Sequence, residues 1–349
     1  MIEVNIQKSF GDFALNVSFT AGNEVLALLG GSGSGKSMTL RAIAGIVTPD
    51  RGRIVVDDVV FFDSEKKINL SPQQRQVGLL FQNYALFPTM TVLENVMTGV
   101  RTGSRAEKRA TAEEALSRFQ LGDLRDRLPH ALSGGQQQRA ALARILVGNP
   151  RILMLDEPFS ALDSHLRDRL EREVLSLIRD FGGTTLLVSH SRDEVFRMAD
   201  RIAVYDGGHI DAIDEKHRLF QAPGTYRAAL LRGCKNFSHV SALRSDNGQT
   251  CFHADDWDMD LQVPGSGSGS LAGIRGHHLC LAEAPGPNTY ELEQVGVIED
   301  TFEYVLLLRR PGTQSEPIHW MLSKSDYKSL PDGPLLIHFP PEALMLLRA

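Results

Sequence analysis

A chain of 349 residues is long for one domain and comfortable for two. Its 42% hydrophobic and 23% charged residues are ordinary for a globular protein, and no apolar run reaches the length that spans a bilayer, so the chain is not expected to cross a membrane by itself. The formal charge of −6 argues against general nucleic-acid binding, and three scattered cysteines, Cys234, Cys251 and Cys280, give neither a disulfide framework nor a zinc spacing, which suits a reducing cytosol.

The first segment, Met1 to Ile6, alternates like a strand and lacks a signal-peptide core. Ile2, Val4 and Ile6, then Phe13, Leu15, Val17 and Phe19 beyond Gly11-Asp12, predict a hairpin over residues 1–20. Phe10, just before the turn, is placed either to stack on a nucleotide base or simply to pack. Glu24 to Leu29 is a short apolar run that reads as a buried strand, and Met38 to Ala44 reads as a helix ending at Gly45.

Between them stands Gly30-Gly31-Ser32-Gly33-Ser34-Gly35-Lys36-Ser37, a G-x-x-x-x-G-K-S phosphate-binding loop in its required strand–helix context. Four glycines allow a concave nest of inward-pointing N–H groups. Lys36 supplies a point charge for the β- and γ-phosphates, and the Ser37 hydroxyl can ligate Mg²⁺. The helix N-terminus adds unpaired N–H groups and a favourable dipole. A merely pliable Gly/Ser loop would not need this strand, lysine and helix.

Thr48-Pro49-Asp50-Arg51-Gly52 is a turn before a strand pair near Ile54–Phe62. Val77 to Phe81 predicts a buried strand ending at Gln82. Beyond it, Tyr84, Leu86 and Phe87 lie where a turn would expose them, either to receive a helix of a partner or to pack locally. Helices are predicted at Val92–Met97, Arg105–Phe119 and Ala140–Val147, the last opened by Leu132-Ser133-Gly134-Gly135-Gln136. Arg151 to Asp156 is an apolar strand ending in a carboxylate, followed by Glu157-Pro158. A long helix then carries Leu166, Leu170, Val174, Leu177 and Ile178 on one face. Strand Thr184–Ser189 with His190 at its end, helix Arg192–Met198 and strand Arg201–Tyr205 complete an α/β pattern with a mostly parallel sheet.

Past residue 232 the character changes. Short segments at Phe237–Leu243, Leu279–Leu281, Gln294–Phe302, Tyr304–Leu308, Ile318–Leu322 and Leu335–Phe339 predict a small β-barrel or sandwich. Pro264 to Ser270 reads as a flexible Gly/Ser loop, lacking the lysine and helix of a phosphate site. The expected domains are 1–232, with a helical subdomain near 84–150, and 233–349.

The phosphate loop, Gln82, Leu132–Gln136, Asp156-Glu157-Pro158, Ser160-Ala161-Leu162-Asp163 and His190 occur in one order, and together they resemble the ATP-binding cassette subunit of ABC transporters. The resemblance implies a P-loop NTPase of the ABC type, with N-terminal antiparallel strands, a parallel core and a helical subdomain. It implies an ATPase using ATP and Mg²⁺, with Ser37, Gln82 and Asp156 at the metal, and Glu157, His190 and Gln82 at the attacking water. Phe10, Gly30 to Ser37 and Met38 would bind the nucleotide. Ser133 to Gln136, also a good helix cap, would close over ATP held by a second copy, with Asp163 contacting the opposite subunit.

The C-terminal part resembles the TOBE-like, OB-fold-like accessory domains of importer cassettes through Gly273–Leu279 and Leu336–Glu342. The hairpin Gly11–Phe19 and Gly233-Cys234-Lys235-Asn236-Phe237 look most like molybdate/tungstate-type cassettes. Sulfate, ferric iron, polyamine and sugar importers share the architecture, and a soluble non-transport ABC ATPase is the alternative of a different class. The resemblance further implies a homodimer on permease subunits at the cytoplasmic face of the membrane. A periplasmic or lipid-anchored solute-binding protein would act through the permease, and an oxyanion is expected at the C-terminal domain.

Overall fold

The computed structural model describes residues 1–160, 164–231, 233–246, 248–265, 267–331 and 333–348. Ala161, Leu162, Asp163 and the side chain of Leu166, all singled out above, lie outside the described residues. The chain divides into two compact units, Met1–Lys216 and His217–Ala349. The division falls before the change in composition near residue 232.

The first unit opens with β1 (Ile2–Phe10) and β2 (Phe13–Ala21), an antiparallel hairpin pairing Phe10 with Phe13 and Ile2 with Ala21. Alternation sets its register. Ile2, Val4, Ile6, Leu15, Val17 and Phe19 are buried, and a slip of one residue would turn them all to water. Strand β3 (Val25–Gly30) is buried along its whole length, and helix α1 (Lys36–Ala44) follows the phosphate loop. Strands β4 (Arg51–Val56), β5 (Val59–Asp63) and β6 (Ile68–Asn69) extend the hairpin into a sheet of order β2-β1-β4-β5-β6.

Helix α2 (Pro72–Arg75) leads to β7 (Gly78–Leu80), shorter than the predicted Val77–Phe81. Helices α3 (Val92–Met97), α4 (Arg105–Arg118) and α5 (Gly134–Leu146) form the helical segment. Then come β8 (Leu153–Asp156), α6 (Ser164–Phe181), β9 (Thr185–Ser189), α7 (Arg192–Met198), β10 (Arg201–Asp206) and β11 (His209–Glu215). The second sheet has the order β11-β10-β3-β9-β8-β7, parallel except where β11 returns beside β10.

One core joins the two sheets through α1: inward residues of β1, β2 and β4 meet Leu40 and Ile43 of α1 and Leu26, Leu28, Met154, Leu186 and Val188 of the parallel sheet. Each such side chain contributes roughly 1.5–3 kcal/mol on burial. Helix α1 ends at Gly45 in the left-handed region (φ 79°), and a Cβ there would lie 2.7 Å from Nε of Arg75. Arg75 is completely buried. Its Nη1 donates to Ala42 O (2.7 Å) and Ile43 O (2.8 Å), its Nε to Leu70 O (2.9 Å), and its Nη2 to Asn69 Oδ1 (2.8 Å). A cation therefore caps the C-terminal end of the phosphate-loop helix.

The second unit contains α9 (Tyr226–Leu231), preceded by α8 (Lys216–Gln221) at the boundary, and two five-stranded antiparallel sheets. The first runs β14-β13-β12-β15-β21, from β12 (Asn236–Asp246), β13 (Gln249–Ala254), β14 (Met259–Pro264), β15 (Leu271–Ile274) and β21 (Met345–Leu347). The second runs β16-β20-β17-β18-β19, from β16 (Cys280–Leu281), β17 (Thr289–Glu299), β18 (Glu303–Arg309), β19 (Ile318–Ser323) and β20 (Leu335–His338), with α10 (Lys324–Tyr327) after β19. Trp257, Trp320 and Phe339 anchor their shared core, and the Trp320 indole N–H donates to Leu279 O (2.9 Å). This is the small all-β unit expected from the strand spacing, in the OB-like half-barrel form that the resemblance implied.

Two expectations change here. Phe302 is not in a strand: β17 ends at Glu299, and the ring stands 82% exposed in the connecting turn. Two glycines of the Gly/Ser run, Gly267 and Gly269, are closely packed, whereas Gly265 is exposed. A Cβ on Gly269 would lie 2.7 Å from the backbone of Leu347, and the Gly267 N–H donates to Thr250 Oγ1 (2.9 Å). Cys234 is buried, its thiol pushed up to about 11 by burial, whereas Cys251 and Cys280 are exposed.

Candidate active site

The phosphate loop is shaped by contacts that exclude side chains. A Cβ on Gly30 would approach Tyr205 O to 2.5 Å, and one on Gly35 would meet Leu15 Cδ1 at 2.8 Å. Gly33 (φ 79°) and Gly35 (φ 102°) also take left-handed backbone, Gly35 as the N-cap of α1. The Gly208 N–H donates to Ser34 O (3.2 Å) and Gly208 O accepts from Asn16 N (2.7 Å), so the β10–β11 turn and the β1–β2 hairpin brace the loop from outside. Gly31, Ser32 and Gly33 are exposed, and Met38 is half-buried against the core.

Lys36 is 5% exposed, and its ammonium donates to Gly30 O (3.0 Å), Gly31 O (2.7 Å) and Ser34 Oγ (3.2 Å). Burial lowers its pKa, and the nearby carboxylates of Glu157 and Asp156 act the other way. The Ser37 hydroxyl donates to Asp156 Oδ1 (2.7 Å). Burial raises the Asp156 pKa against that hydrogen bond. A serine hydroxyl and a desolvated carboxylate beside a buried ammonium are an oxygen donor set suited to Mg²⁺, which keeps most of its waters and takes phosphate oxygens. The residues fit the ion, which Ser37 and Asp156 could hold.

Three more predicted residues converge on this edge of the sheet. The Gln82 Nε2 donates to Glu157 Oε2 (3.3 Å), and His190 Nδ1 lies 3.6 Å from Glu157 Oε1. Glu157 itself sits in left-handed backbone (φ 48°), directly after β8. Ser160 also joins them. Its Oγ accepts from Gln82 Nε2 (3.2 Å) and donates to Glu157 O (3.0 Å). Sequence reading quoted Ser160 without giving it a role, because a serine after Pro-Phe carries no signal of its own.

Ser133 caps α5 reciprocally: its Oγ accepts from Gln136 N (3.4 Å), and Gln136 Oε1 accepts from Ser133 N (2.9 Å). Gly134 and Gly135 open the helix, and among the described residues no hydrogen bond joins this run to the phosphate loop. Phe10 is half-buried, 6.5 Å from the Phe13 ring, with the Lys8 ammonium 5.7 Å from its centroid. Tyr84 is not exposed as expected. It is 5% exposed, and it and Ala85 take left-handed backbone (φ 59° and 46°), which turns the ring inward. Phe87 is the aromatic left outside, at 47%, on the lip of a groove of about 490 Å³ that also includes Ile46, Pro72, Phe81 and Arg144.

An ABC transporter family model matches residues 14–160. The spermidine/putrescine import ATP-binding protein PotA of Bacillus cereus is 42% identical over 252 residues, 69% of this chain and 75% of that protein. The sulfate/thiosulfate import ATP-binding protein CysA of Bradyrhizobium diazoefficiens is 39% identical over 301 residues, 83% of this chain and 84% of the relative. Among solved structures, the dimeric post-hydrolysis state of the ATP-binding cassette MJ0796 bound to ADP and Pi superposes with a TM-score of 0.52 at 29% identity, covering 62% of this chain and 98% of that one.

Proposed function

The chain belongs to the ABC transporter family as the ATP-binding subunit of an importer, and from that premise we propose which residues hydrolyse ATP and which class of solute is carried. Members of the family bind ATP with Mg²⁺, hydrolyse it, and work as a dimer on a transmembrane permease. No helix among the described residues is long and apolar enough to cross a membrane. We read the chain as peripheral to the membrane, held by the permease at its cytoplasmic face.

The observation that carries the catalytic reading is the convergence of Gln82, Glu157 and His190 beside the Ser37–Asp156 pair. The loop amides and Lys36 hold the phosphates, and Ser37, Asp156 and Gln82 face the metal, which when bound offsets charge on the β- and γ-phosphates. Glu157 takes a proton from water held between Gln82 and His190. The water oxygen bonds to the γ-phosphorus as its bond to the β–γ bridging oxygen breaks, leaving ADP and phosphate. The second anion site, Ser133 to Gln136, closes over nucleotide bound to the other copy. Phe10 stacks on the base. Phe10→Ala is expected to raise the KM for ATP about tenfold with kcat preserved, since base stacking on an aromatic is worth roughly 1–3 kcal/mol; an unchanged KM in steady-state assays would leave Phe10 a packing residue.

The groove beside Phe87 is where the permease docks. The 1–232 cassette acts as the motor, its 84–150 helical subdomain carrying the second anion site, and 233–349 is the accessory domain. For the solute we favour a tetrahedral oxyanion, delivered by a solute-binding protein. The similarity to the sulfate/thiosulfate relative, over 83% of the chain, extends well past the 216 residues of the first unit and further than that to the polyamine relative, at 69%. The finer choice of molybdate or tungstate rests on the Gly11–Phe19 and Gly233–Phe237 segments alone, and no relative named here is a molybdate importer; a polyamine importer is the second reading. Calorimetric titration of the full-length chain with molybdate, tungstate and sulfate, with and without MgATP, tests whether the second unit itself binds the anion. Saturable molybdate and tungstate binding without sulfate binding is expected; silence for all three removes anion regulation through this unit.

A further inference from the structure

The loop that follows Gln82 takes a conformation its own residues resist. Tyr84 and Ala85 are consecutive non-glycine residues in left-handed backbone, which persists only when the surroundings hold it. Their carbonyls are held by one side chain. Arg144 donates from Nη2 to Tyr84 O (3.0 Å) and from Nη1 to Ala85 O (2.7 Å), and its guanidinium lies 5.6 Å from the centroid of the Phe87 ring. From the other side, fully buried Asn95 of α3 accepts from Phe87 N (2.8 Å) and donates to Phe87 O (3.1 Å). The loop is thus pinned at both ends by the helical segment.

Arg144 stands in the last turn of α5, the helix whose N-cap is Ser133. Eleven residues of α-helix place the two about 16 Å apart along one continuous rod. One end of that rod bears the Leu-Ser-Gly-Gly-Gln run, and the other grips the loop that leaves Gln82, the residue hydrogen-bonded to Glu157 and Ser160. We propose that Arg144 is a positioning residue for hydrolysis: its two-pronged hold on the Tyr84 and Ala85 carbonyls fixes Gln82 against Glu157 and ties that geometry to the helix of the second anion site and to the lip of the groove. The proposal rests on the catalytic role of Gln82 and on permease docking at the groove.

A planar fork is required, because a lysine ammonium is a single point charge that cannot reproduce two directed bonds to adjacent carbonyls. Arg144→Lys is therefore expected to lower kcat of the full-length dimer about tenfold, as misplacement of a positioning group does, with the KM for MgATP unchanged. Hydrogen exchange at the amides of residues 83–87 should quicken. Ala85→Gly in that background should restore most of kcat, since glycine takes the left-handed conformation without a clamp. Ala85→Val, at an exposed position, should mimic Arg144→Lys with the arginine in place. Full activity of Arg144→Lys, or a loss of kcat that Ala85→Gly does not relieve, would overturn the proposal. If hydrolysis by the wild-type chain is indifferent to its permease, the docking reading fails instead, and the kcat rescue still judges Arg144.

Discussion

Glu157→Gln is expected to lower steady-state ATP hydrolysis by about 10³-fold, within the range a general base contributes, while ATP-dependent dimerisation persists. The substitution conserves volume and the backbone need for φ 48°. A glutamine carbonyl oxygen can still accept from Gln82, and its amide can still face His190, so the hydrogen-bond frame seen around Glu157 survives. What is lost is the ability to take the proton from water. The phosphate contacts through Lys36 and the loop amides are untouched, so nucleotide should accumulate unhydrolysed at a closed interface. Size-exclusion with light scattering in MgATP, run beside a phosphate-release assay, separates the two effects. Normal hydrolysis with loss of the dimer would exclude Glu157 as the base.

Arg75→Ala should be the most destabilising single change in the first unit. It takes the guanidinium from the Ile43 and Leu70 carbonyls, each buried orphan costing about 1–3 kcal/mol, while Ala42 O keeps the Gly45 N–H (3.2 Å) and the exposed Asn69 turns to water; it also leaves a hole beneath Phe61. A loss of about 4 kcal/mol corresponds to a fall in Tm on the order of 10 °C for a unit of this size. Burial lowers the Arg75 pKa to about 10, so the side chain is charged at neutral pH and its hydrogen bonds are charge-assisted. Because the folded value lies below the unfolded one, the desolvation cost is fully present at pH below about 10. It is relieved only as pH rises through the interval above, which leaves neutral-pH comparisons unaffected. Thermal unfolding followed by circular dichroism checks this, and a Tm within about 2 °C of wild type would show that water replaces the guanidinium.

These two residues also mark how far the amino-acid sequence could be read. Glu157 was legible because an apolar run ending in Asp-Glu-Pro is a strand delivering carboxylates to a sheet edge, and β8 ends at Asp156. Val92–Met97 and Arg192–Met198 were legible to the residue, since each has a cap ahead of a helical apolar pattern. Arg75 was invisible. The helix that carries it, capped by Ser71, was not singled out, and one sequence gives no sign that this arginine is buried under a distant helix. Tyr84 was misread for a related reason: local composition suggests a turn, whereas the direction of its ring depends on left-handed backbone held by Arg144, sixty residues away. In the second unit the strands of the β16–β19 sheet were largely found, but β13, β14, β15 and β21 were not. β13 and β14 pair with adjacent strands, but polar and charged residues interrupt their apolar pattern, and β15 and β21 are only four and three residues long and find each other from distant parts of the chain.

The reciprocal caps of the helical segment have a consequence for motion. Thr91 with Glu94, Ser104 with Glu107 and Ser133 with Gln136 each complete the start of their own helix from within three residues. None of these bonds is borrowed from the parallel sheet. The segment therefore carries its internal order with it and can swing as one stiff lever. Such a swing would break the exposed Arg118–Asp180 pair between α4 and α6 and slide α5 over Leu170 of α6 and Gly78 of β7. A pair of that kind is worth about 0–1 kcal/mol, a latch light enough for thermal energy to lift.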